Sequence, residues 1–223
     1  MLYNIDMNRM SLSEYLKSPC SRSSIPYWKQ KYIVIPDDMI IIHDRSFISD
    51  NFADYIDETY FRLYHDLKEI TYIIADDIEL VTVTSDLLNV FVDIINASYT
   101  DLSVTKEQLE SYRKTPVYNP DLWILLKDGV SGEYIGSGIA DYDSETGELI
   151  IEWVQVLPSY RRHGYGAFIV NYLLNKMKGT AKFVRFRARL IALHTLRHYT
   201  GNAVLRVMIF GTFSAENKSF INR

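Results

Sequence analysis

The residues best suited to binding chemistry in this chain of 223 residues form one short loop. An apolar, strand-like run ends at Val156, Arg161 and Arg162 follow it, and Gly164 and Gly166 lead into an amphipathic stretch. Such a junction exposes backbone N–H groups at a helix N-terminus, where the helix dipole favours an anion. The glycines admit positive φ and close approach of a ligand, and the arginines add charge for phosphate oxygens. The loop therefore predicts a site for a phosphate group.

Two common nucleotide motifs do not fit this loop. A dinucleotide fingerprint needs Gly-x-Gly-x-x-Gly inside a βαβ unit, and a nucleotide P-loop needs Gly-Lys-Ser/Thr; neither is present. A surface turn with solvated arginines remains the plain alternative for a Gly-x-Gly pair taken alone.

The neighbouring residues extend the pattern. The segment resembles motif A of the GNAT superfamily of acyltransferases, whose consensus is Gln/Arg-x-x-Gly-x-Gly/Ala after a strand ending in Val-x-Pro. Arg161, Gly164 and Gly166 match the motif, and Val156 and Pro158 match the residues before it. The chain is similar to bacterial members of that superfamily.

The resemblance implies an α/β (α+β) fold. Its mixed, strongly twisted sheet is splayed at the fourth strand, here residues 148–156, with helices on both faces. The order of predicted elements agrees with the family over residues 78–213, and a Tyr-Phe-Arg-Leu segment of some bacterial members is matched at 60–63. Residues 1–75 are predicted to be an N-terminal extension packed on the core, and 76–223 the acyltransferase domain.

The resemblance further implies acetyl-CoA as co-substrate. In this arrangement the pantetheine amides pair with backbone groups of the fourth strand, and the pyrophosphate lies on N–H groups of the loop. The implied cofactor-binding residues are Val154, Gln155, Val156, Arg161, Arg162, His163, Gly164, Tyr165, Gly166 and Ala167.

A carboxylate on the same strand is a candidate general base. An amine must lose a proton to attack a thioester, and Glu152 matches the place where the family often carries a Glu. Because Ile151 and Trp153 flank it, we expect desolvation to raise its pKa; a cross-strand salt bridge or a solvent-facing position is the alternative. Asp141 and Asp143 could bind a cationic substrate, although a turn explains Asp143 equally well.

The general acid is less well defined by the sequence. Relatives carry Ala-Leu-Tyr-x-x-x-Gly-Phe on the helix after the fifth strand, and the matching segment here puts His194 at the Tyr position and Tyr199 at the Phe position. Both are candidates for protonating the CoA thiolate. His194 and His198 are also spaced as a helical metal pair, but Thr195 stands where a zincin needs Glu, so no metal site is predicted.

The same resemblance implies transfer of an acetyl group to a primary amine of a small molecule or a peptide. Tyr99, Tyr112 and Tyr118 lie in the segment that usually forms the acceptor wall, although aromatic packing explains any one of them. The altered residue at His194 favours a second interpretation, a catalytically weak acyl-CoA-binding sensor or interaction protein.

Composition limits the other classes of function. Hydrophobic residues make up 48 % and charged residues 23 % of the chain, as in ordinary globular proteins. The net charge of −4 argues against a nucleic-acid partner. Cys20 is the only cysteine, which excludes an intrachain disulfide. No secretory or membrane-spanning pattern is found, so we expect a cytoplasmic protein without a membrane partner. The sequence leaves open whether the protein is a homodimer.

Local patterns predict most of the elements. Asp86 is expected to cap one helix, and residues 60–67 show helical spacing. Helices are predicted from Ser11 and over 60–67, 86–95, 106–113 and 165–178, and strands over 39–43, 78–84, 122–126, 134–142, 148–156, 183–190 and 204–213.

Overall fold

The computed structural model describes residues 10–34, 40–42, 57–100, 102–189 and 206–214. Within these ranges the chain forms helices that flank a single sheet. The helices are α1 (Leu12–Lys17), α2 (Pro19–Arg22), α3 (Tyr27–Tyr32), α4 (Leu88–Ser98), α5 (Lys106–Tyr112) and α6 (Tyr165–Met177). The strands are β1 (Ile40–Ile42), β2 (Asp57–His65), β3 (Ile78–Thr82), β4 (Trp123–Asp128), β5 (Tyr134–Asp143), β6 (Glu148–Val156), β7 (Phe183–Arg189) and β8 (Arg206–Ser214).

The eight strands lie in the order β1-β8-β2-β7-β6-β5-β4-β3. All neighbours are antiparallel except β6 and β7, which run parallel. The connection between those two strands is α6, as expected, because a parallel pair needs a crossover. The predicted mixed sheet of an α/β protein is confirmed.

The parallel pair separates partway along its length. Its ladder runs from Glu148 opposite Phe183 to Ile151 opposite Phe186 and then stops. Beyond this point β6 continues paired with β5 only, and β7 continues paired with β2. The sheet is therefore split at the predicted strand, between the second half of β6 and the second half of β7.

Helices cover both faces of the sheet. On one face α6 buries Ile169, Leu173 and Met177, whose spacing places them on one side of the helix. On the other face α4 and α5 bury a second cluster that includes Phe91 and Leu109. Fully burying one such side chain stabilises the fold by roughly 1.5–3 kcal/mol, so these two layers hold the sheet that carries the site. Within the described residues, no helix has the length and apolar character needed to cross a bilayer.

The N-terminal helices pack on β6 and β7. Tyr15 of α1 donates a hydrogen bond of 2.5 Å to Glu148 Oε2, and Arg185 of β7 donates to the other oxygen of that carboxylate. Tyr15, Tyr27 and Phe183 form a small buried cluster beside this network. These contacts fix α3 against the face of the sheet opposite α6. The domain boundary at residue 75 stays a prediction.

Two local predictions were wrong. Residues 60–67 show helical spacing, yet they belong mostly to β2, which pairs with both β7 and β8. Pairing on both edges outweighs a weak local preference. Asp86 does not cap α4; it accepts a hydrogen bond from Thr84, and the residue at the N-cap position is Leu87.

Candidate active site

Glu152 lies at a β-bulge. The adjacent residues Ile139 and Ala140 of β5 pair with Trp153 and Ile151 of β6, so Glu152 is the extra residue on its strand. A bulge bends the strand and redirects side chains. As a result, Glu152 and Trp153 both line one cleft, although consecutive strand residues normally point to opposite faces.

The cleft lies on the face of the sheet opposite α6 and spans about 370 Å³ including its open mouth. Its lining includes four aromatic side chains, two carboxyl groups and one ammonium group. These side chains are Trp28, Tyr112, Trp123, Trp153, Asp141, Glu152 and Lys29. Such a cleft suits a cation that carries apolar surface.

Glu152 forms an ion pair with Lys29 of α3. The Nζ atom of Lys29 lies 2.6 Å from Oε1 of Glu152, and the two side chains are 8 % and 15 % exposed. The salt-bridge alternative for Glu152 is therefore found, but the partner comes from α3 and not from a neighbouring strand.

The charges around Glu152 overturn one expectation. Burial raises the pKa of this carboxyl group, but the positive charges of Lys29, Arg187 and Arg185 together outweigh burial and leave the pKa lowered. The expectation of a raised pKa was wrong, since the sequence neighbours Ile151 and Trp153 do not reveal the cations that face the site.

Asp141 shows the opposite behaviour. It is buried on β5 within the same cleft. Burial, followed by the nearby negative charge of Glu152, raises its pKa well above the usual range, and Lys29 opposes the shift only in part. The protonated form of Asp141 is therefore favoured, and this reduces its repulsion of Glu152.

The loop after β6 has the backbone geometry of an anion site. Arg162 and Gly164 have φ of 67° and 84°, in the left-handed region, and α6 begins at Tyr165. Alternation of this kind turns successive N–H groups toward one side. In the described part of the chain, none of the backbone N–H groups of residues 162–167 donates to another residue. A Cβ atom added to Gly164 or Gly166 would meet nothing within 4 Å.

The side chains of the loop are engaged with the protein. His163 stacks on Tyr165, and its Nδ1 lies 3.2 Å from the carbonyl oxygen of Tyr160. The guanidinium of Arg161 donates to the carbonyl oxygens of Val156, at 3.0 Å, and Ser98, at 2.7 Å. Arg161 thus links the end of α4 to the end of β6. The sequence had predicted that its charge would meet phosphate oxygens.

The edge of β6 that faces β7 has open backbone groups. Val154 and Val156 pair with Gly138 and Gly136 of β5 on one side, while the described part of β7 offers no partner on the other. An exposed strand edge can accept an extended ligand as an added strand. The Gln155 side chain is buried and donates to the hydroxyl of Ser137. The predicted pantetheine segment thus borders the split.

Among the other predicted residues that the structure describes, Asp143, Tyr118 and Tyr99 do not line the cleft. Asp143 accepts from the backbone N–H of Glu145 and shapes the hairpin turn. Tyr118 packs edge-on against Trp123 and accepts from Arg113, whereas Tyr112 lines the cleft and contacts Trp153. Tyr99 follows α4 and is partly exposed. His194, His198 and Tyr199 lie outside the described residues.

Sequence reasoning missed the contribution of α3. Trp28 and Lys29 enter the cleft from a segment far from Glu152 along the chain. Neither residue belongs to a motif, and no spacing connects them with β6. The packing of Tyr27 with Tyr15 and Phe183, and of Trp28 with Ile150 and Val117, brings them to the site.

A mixed sheet that splits beside a glycine-containing anion loop is the arrangement implied by the resemblance to GNAT acyltransferases. A model of the Acetyltransferase (GNAT) family matches residues 88–198, from α4 to beyond β7. The chain belongs to this family, whose members transfer acyl groups from acyl-CoA. None of the curated proteins matches the sequence.

The fold is also similar to solved structures. The GCN5-related N-acetyltransferase from Sphaerobacter thermophilus is 13 % identical with a TM-score of 0.63, over 80 % of this chain and 60 % of that one. The GCN5-related N-acetyltransferase from Kribbella flavida is 12 % identical (TM-score 0.55; 80 % and 68 % covered). A GNAT acetyltransferase from Colwellia psychrerythraea is 13 % identical (TM-score 0.55; 85 % and 69 % covered). This chain thus spans 60 % of the length of the Sphaerobacter protein, and at such identities the likeness shows the fold.

Proposed function

We propose that this protein transfers an acetyl group from acetyl-CoA to a primary amine by direct attack of the amine on the thioester. The observation that carries the proposal is the arrangement along β6. Glu152 lies on a bulge where the parallel ladder ends, the open strand edge follows it, and the anion loop follows the strand. One extended ligand can contact all three in succession.

The shape of acetyl-CoA fits this succession. Its pantetheine arm has amide groups that can hydrogen-bond to the open edge of β6 at Val154 and at the N–H of Val156, as an added strand does. The carbonyl oxygen of Val156 already accepts from Arg161. Its pyrophosphate is an anion for the N–H groups of residues 162–167 at the start of α6. The absence of a Cβ at Gly164 and Gly166 leaves room for close approach. The thioester would then reach the split beside Glu152.

The carboxyl groups of the cleft suit an amine acceptor. Glu152, kept ionised by its lowered pKa, holds the ammonium group and takes a proton as the amine attacks. Burial and the charge of Glu152 raise the pKa of Asp141, which favours its protonated form and reduces the repulsion between the two carboxyl groups. His194 and Tyr199 are retained as the candidates that protonate the departing thiolate.

The aromatic walls indicate the acceptor class. Trp123, Trp153 and Tyr112 give an apolar surface around the carboxylates, which suits a primary amine attached to an apolar group, in a small molecule or a peptide. We place the reaction in the cytoplasm, as the composition predicts, with neither nucleic acid nor membrane as a partner.

Two measurements test this function. Calorimetric titration with CoA should give a saturable heat, and release of free thiol from acetyl-CoA should depend on an added amine. Amines with an apolar substituent should be better acceptors than ammonia. A protein that binds neither CoA nor acetyl-CoA would contradict the proposal.

One observation favours a second function. The ammonium group of Lys29 already lies against Glu152, where an acceptor amine would bind. A protein held in this state would bind acyl-CoA and turn over external amines slowly, as a sensor does. Tight CoA binding with no amine-dependent thiol release would select this alternative.

A further inference from the structure

We propose that the chain acylates its own Lys29 from acyl-CoA, so that Lys29 is an intramolecular acceptor and a modification site. The inference rests on the proposed acyltransferase function. Lys29 is a primary amine inside the cleft, its Nζ lies 2.6 Å from Glu152, and its side chain is 8 % exposed.

The position of Glu152 defines where an acceptor amine must be. Glu152 is the first residue of β6 after the last parallel pair, Ile151 with Phe186. A thioester that enters along the open edge of β6 meets the cleft at this residue. Because Lys29 Nζ is in contact with the Glu152 carboxylate, it lies at the meeting point of base and thioester.

Helix α3 holds the amine there. Tyr27 packs with Tyr15 and Phe183, and Trp28 packs with Ile150 and Val117 on the surface of the sheet. The Lys29 ammonium also lies 5.5 Å from the centre of the Trp28 ring. An amine held in reach of a thioester reacts as part of one molecule and needs no encounter with an external acceptor.

A structural ion pair is the competing explanation for Lys29. Taking both charges out of water costs much of what their attraction provides, so a buried pair alone is weak support for the fold. The pair also sits at the bulge where β6 and β7 separate, and not in the packed cores on either face of the sheet. The location thus favours a role in the chemistry of the cleft.

The reaction balances with acetyl-CoA as the only co-reactant. The Lys29 ammonium gives one proton to Glu152, and the Nζ lone pair then forms a bond to the thioester carbonyl carbon. The carbon–sulfur bond breaks and its electron pair leaves on sulfur. The attacking nitrogen loses its second proton as the amide forms, and the sulfur takes up one proton to give CoA thiol. The products are the Lys29 amide, CoA thiol and one proton released through Glu152 to solvent.

Lys31 provides an internal control two residues away. It lies on the same helix, its side chain is 34 % exposed, and it pairs with Glu145 at the surface. Uncatalysed acylation by acetyl-CoA would modify such an accessible lysine before a buried one. Preference for Lys29 over Lys31 therefore separates catalysis in the cleft from simple reactivity.

The experiment incubates the purified full chain with acetyl-CoA and measures intact mass and acetylated peptides over time. We expect one acetyl group per chain, on Lys29, added about tenfold or more faster than on Lys31. The rate constant should not change with protein concentration. Lys29→Arg should remove the modification, with circular dichroism and CoA titration confirming that the variant folds. Gly166→Val should suppress acetylation of Lys29 and leave that of Lys31 unchanged.

The outcomes separate this inference from the proposed function. If CoA binds and external amines are acetylated while Lys29 stays unmodified, the self-acylation is wrong and the acyltransferase function stands. If Lys29 and Lys31 react equally, or Gly166→Val has no effect on Lys29, the modification is uncatalysed and the inference is wrong. If CoA does not bind at all, both proposals are overturned.

Discussion

Lys29 on α3 and Glu152 on β6 form an ion pair of 2.6 Å in which both side chains are largely buried. The pair connects an N-terminal helix with the bulge at which the sheet splits. The pair also affects the ionisation of Glu152, because the positive charge of Lys29 is the largest of the influences that lower the pKa of this carboxyl group. Any test of Glu152 as a base must therefore separate its chemistry from its role in this pair.

We predict that Glu152→Gln lowers turnover by about 10²-fold, since the amide cannot accept the proton of the amine. Affinity for CoA, measured by calorimetry, should change little. The variant should also unfold more easily, by about 3 kcal/mol, because the Lys29 cation loses its partner in a buried site.

The double variant Lys29→Met, Glu152→Gln is the control for this loss. Removing both charges should restore most of the free energy of unfolding in urea, since no buried charge is left unpaired. Turnover of external amines should stay low in the double variant. Recovery of turnover together with stability would show that Glu152 acts only through the ion pair.

Substitutions of the loop glycines should weaken CoA binding without loss of the fold. Gly166→Val adds a branched side chain at a position where a Cβ atom meets no protein atom within 4 Å, so the change is directed at the bound ligand. We expect the Kd for CoA, measured by calorimetry, to rise about tenfold or more, equivalent to a loss of about 1.4 kcal/mol. The free energy of unfolding should not fall below that of the wild type, because Val is a better helix former than Gly. Unchanged CoA affinity would overturn the placement of the pyrophosphate.

Gly164 offers a test with a matched control at the other end of α6. Gly164 has φ of 84° and Gly179 has φ of 82°, and an added Cβ meets nothing in either case. Replacing either by Ala should cost about 1–2 kcal/mol of stability from left-handed strain. Only Gly164→Ala should also reduce CoA affinity. Equal affinities in the two variants would mean that Gly164 serves the turn and not the ligand.

Asp141 should make stability depend on pH in a defined direction. Its pKa in the folded protein is well above its ordinary value of 3.8, so the folded state keeps a proton that the unfolded chain releases. The stability gained from this proton is complete below the ordinary pKa and is lost as pH rises toward the raised one. Relative to Asp141→Asn, the wild type should lose up to about 1.4 kcal/mol per pH unit in that window. Parallel urea-unfolding curves across pH 4–8 would contradict the predicted protonation.

His194 should change the shape of the pH–rate profile if it protonates the thiolate. Imidazole titrates near pH 6.5 and phenol near 10, so turnover should fall above about pH 7 although more amine is then deprotonated. His194→Tyr should restore activity at high pH, and His194→Ala should lower turnover while CoA still binds. Superimposable profiles for the wild type and His194→Ala would exclude His194 as the acid and leave Tyr199 to be tested.

Much of the architecture could be predicted because local signals agreed with the final packing. The spacing of Ile169, Leu173 and Met177 requires one buried helical side, and α6 has it. Residues 57–65 were harder, since a strand paired on both edges depends on partners that are distant in the chain. The failure at Asp86 has a local cause, because its side chain accepts from Thr84 two residues earlier and leaves α4 without a side-chain cap.

The sequence by itself determined the loop, the hairpin and the presence of a strand after helix α6. Glycines, turn residues and apolar spacing act over a few residues, so their consequences can be predicted without the rest of the chain. Only the tertiary structure decided the bulge at Glu152, its pairing with Lys29 and the opposite pKa shifts of Glu152 and Asp141. Electrostatic energies depend on distance and burial in space, and separation along the chain carries almost no information about either.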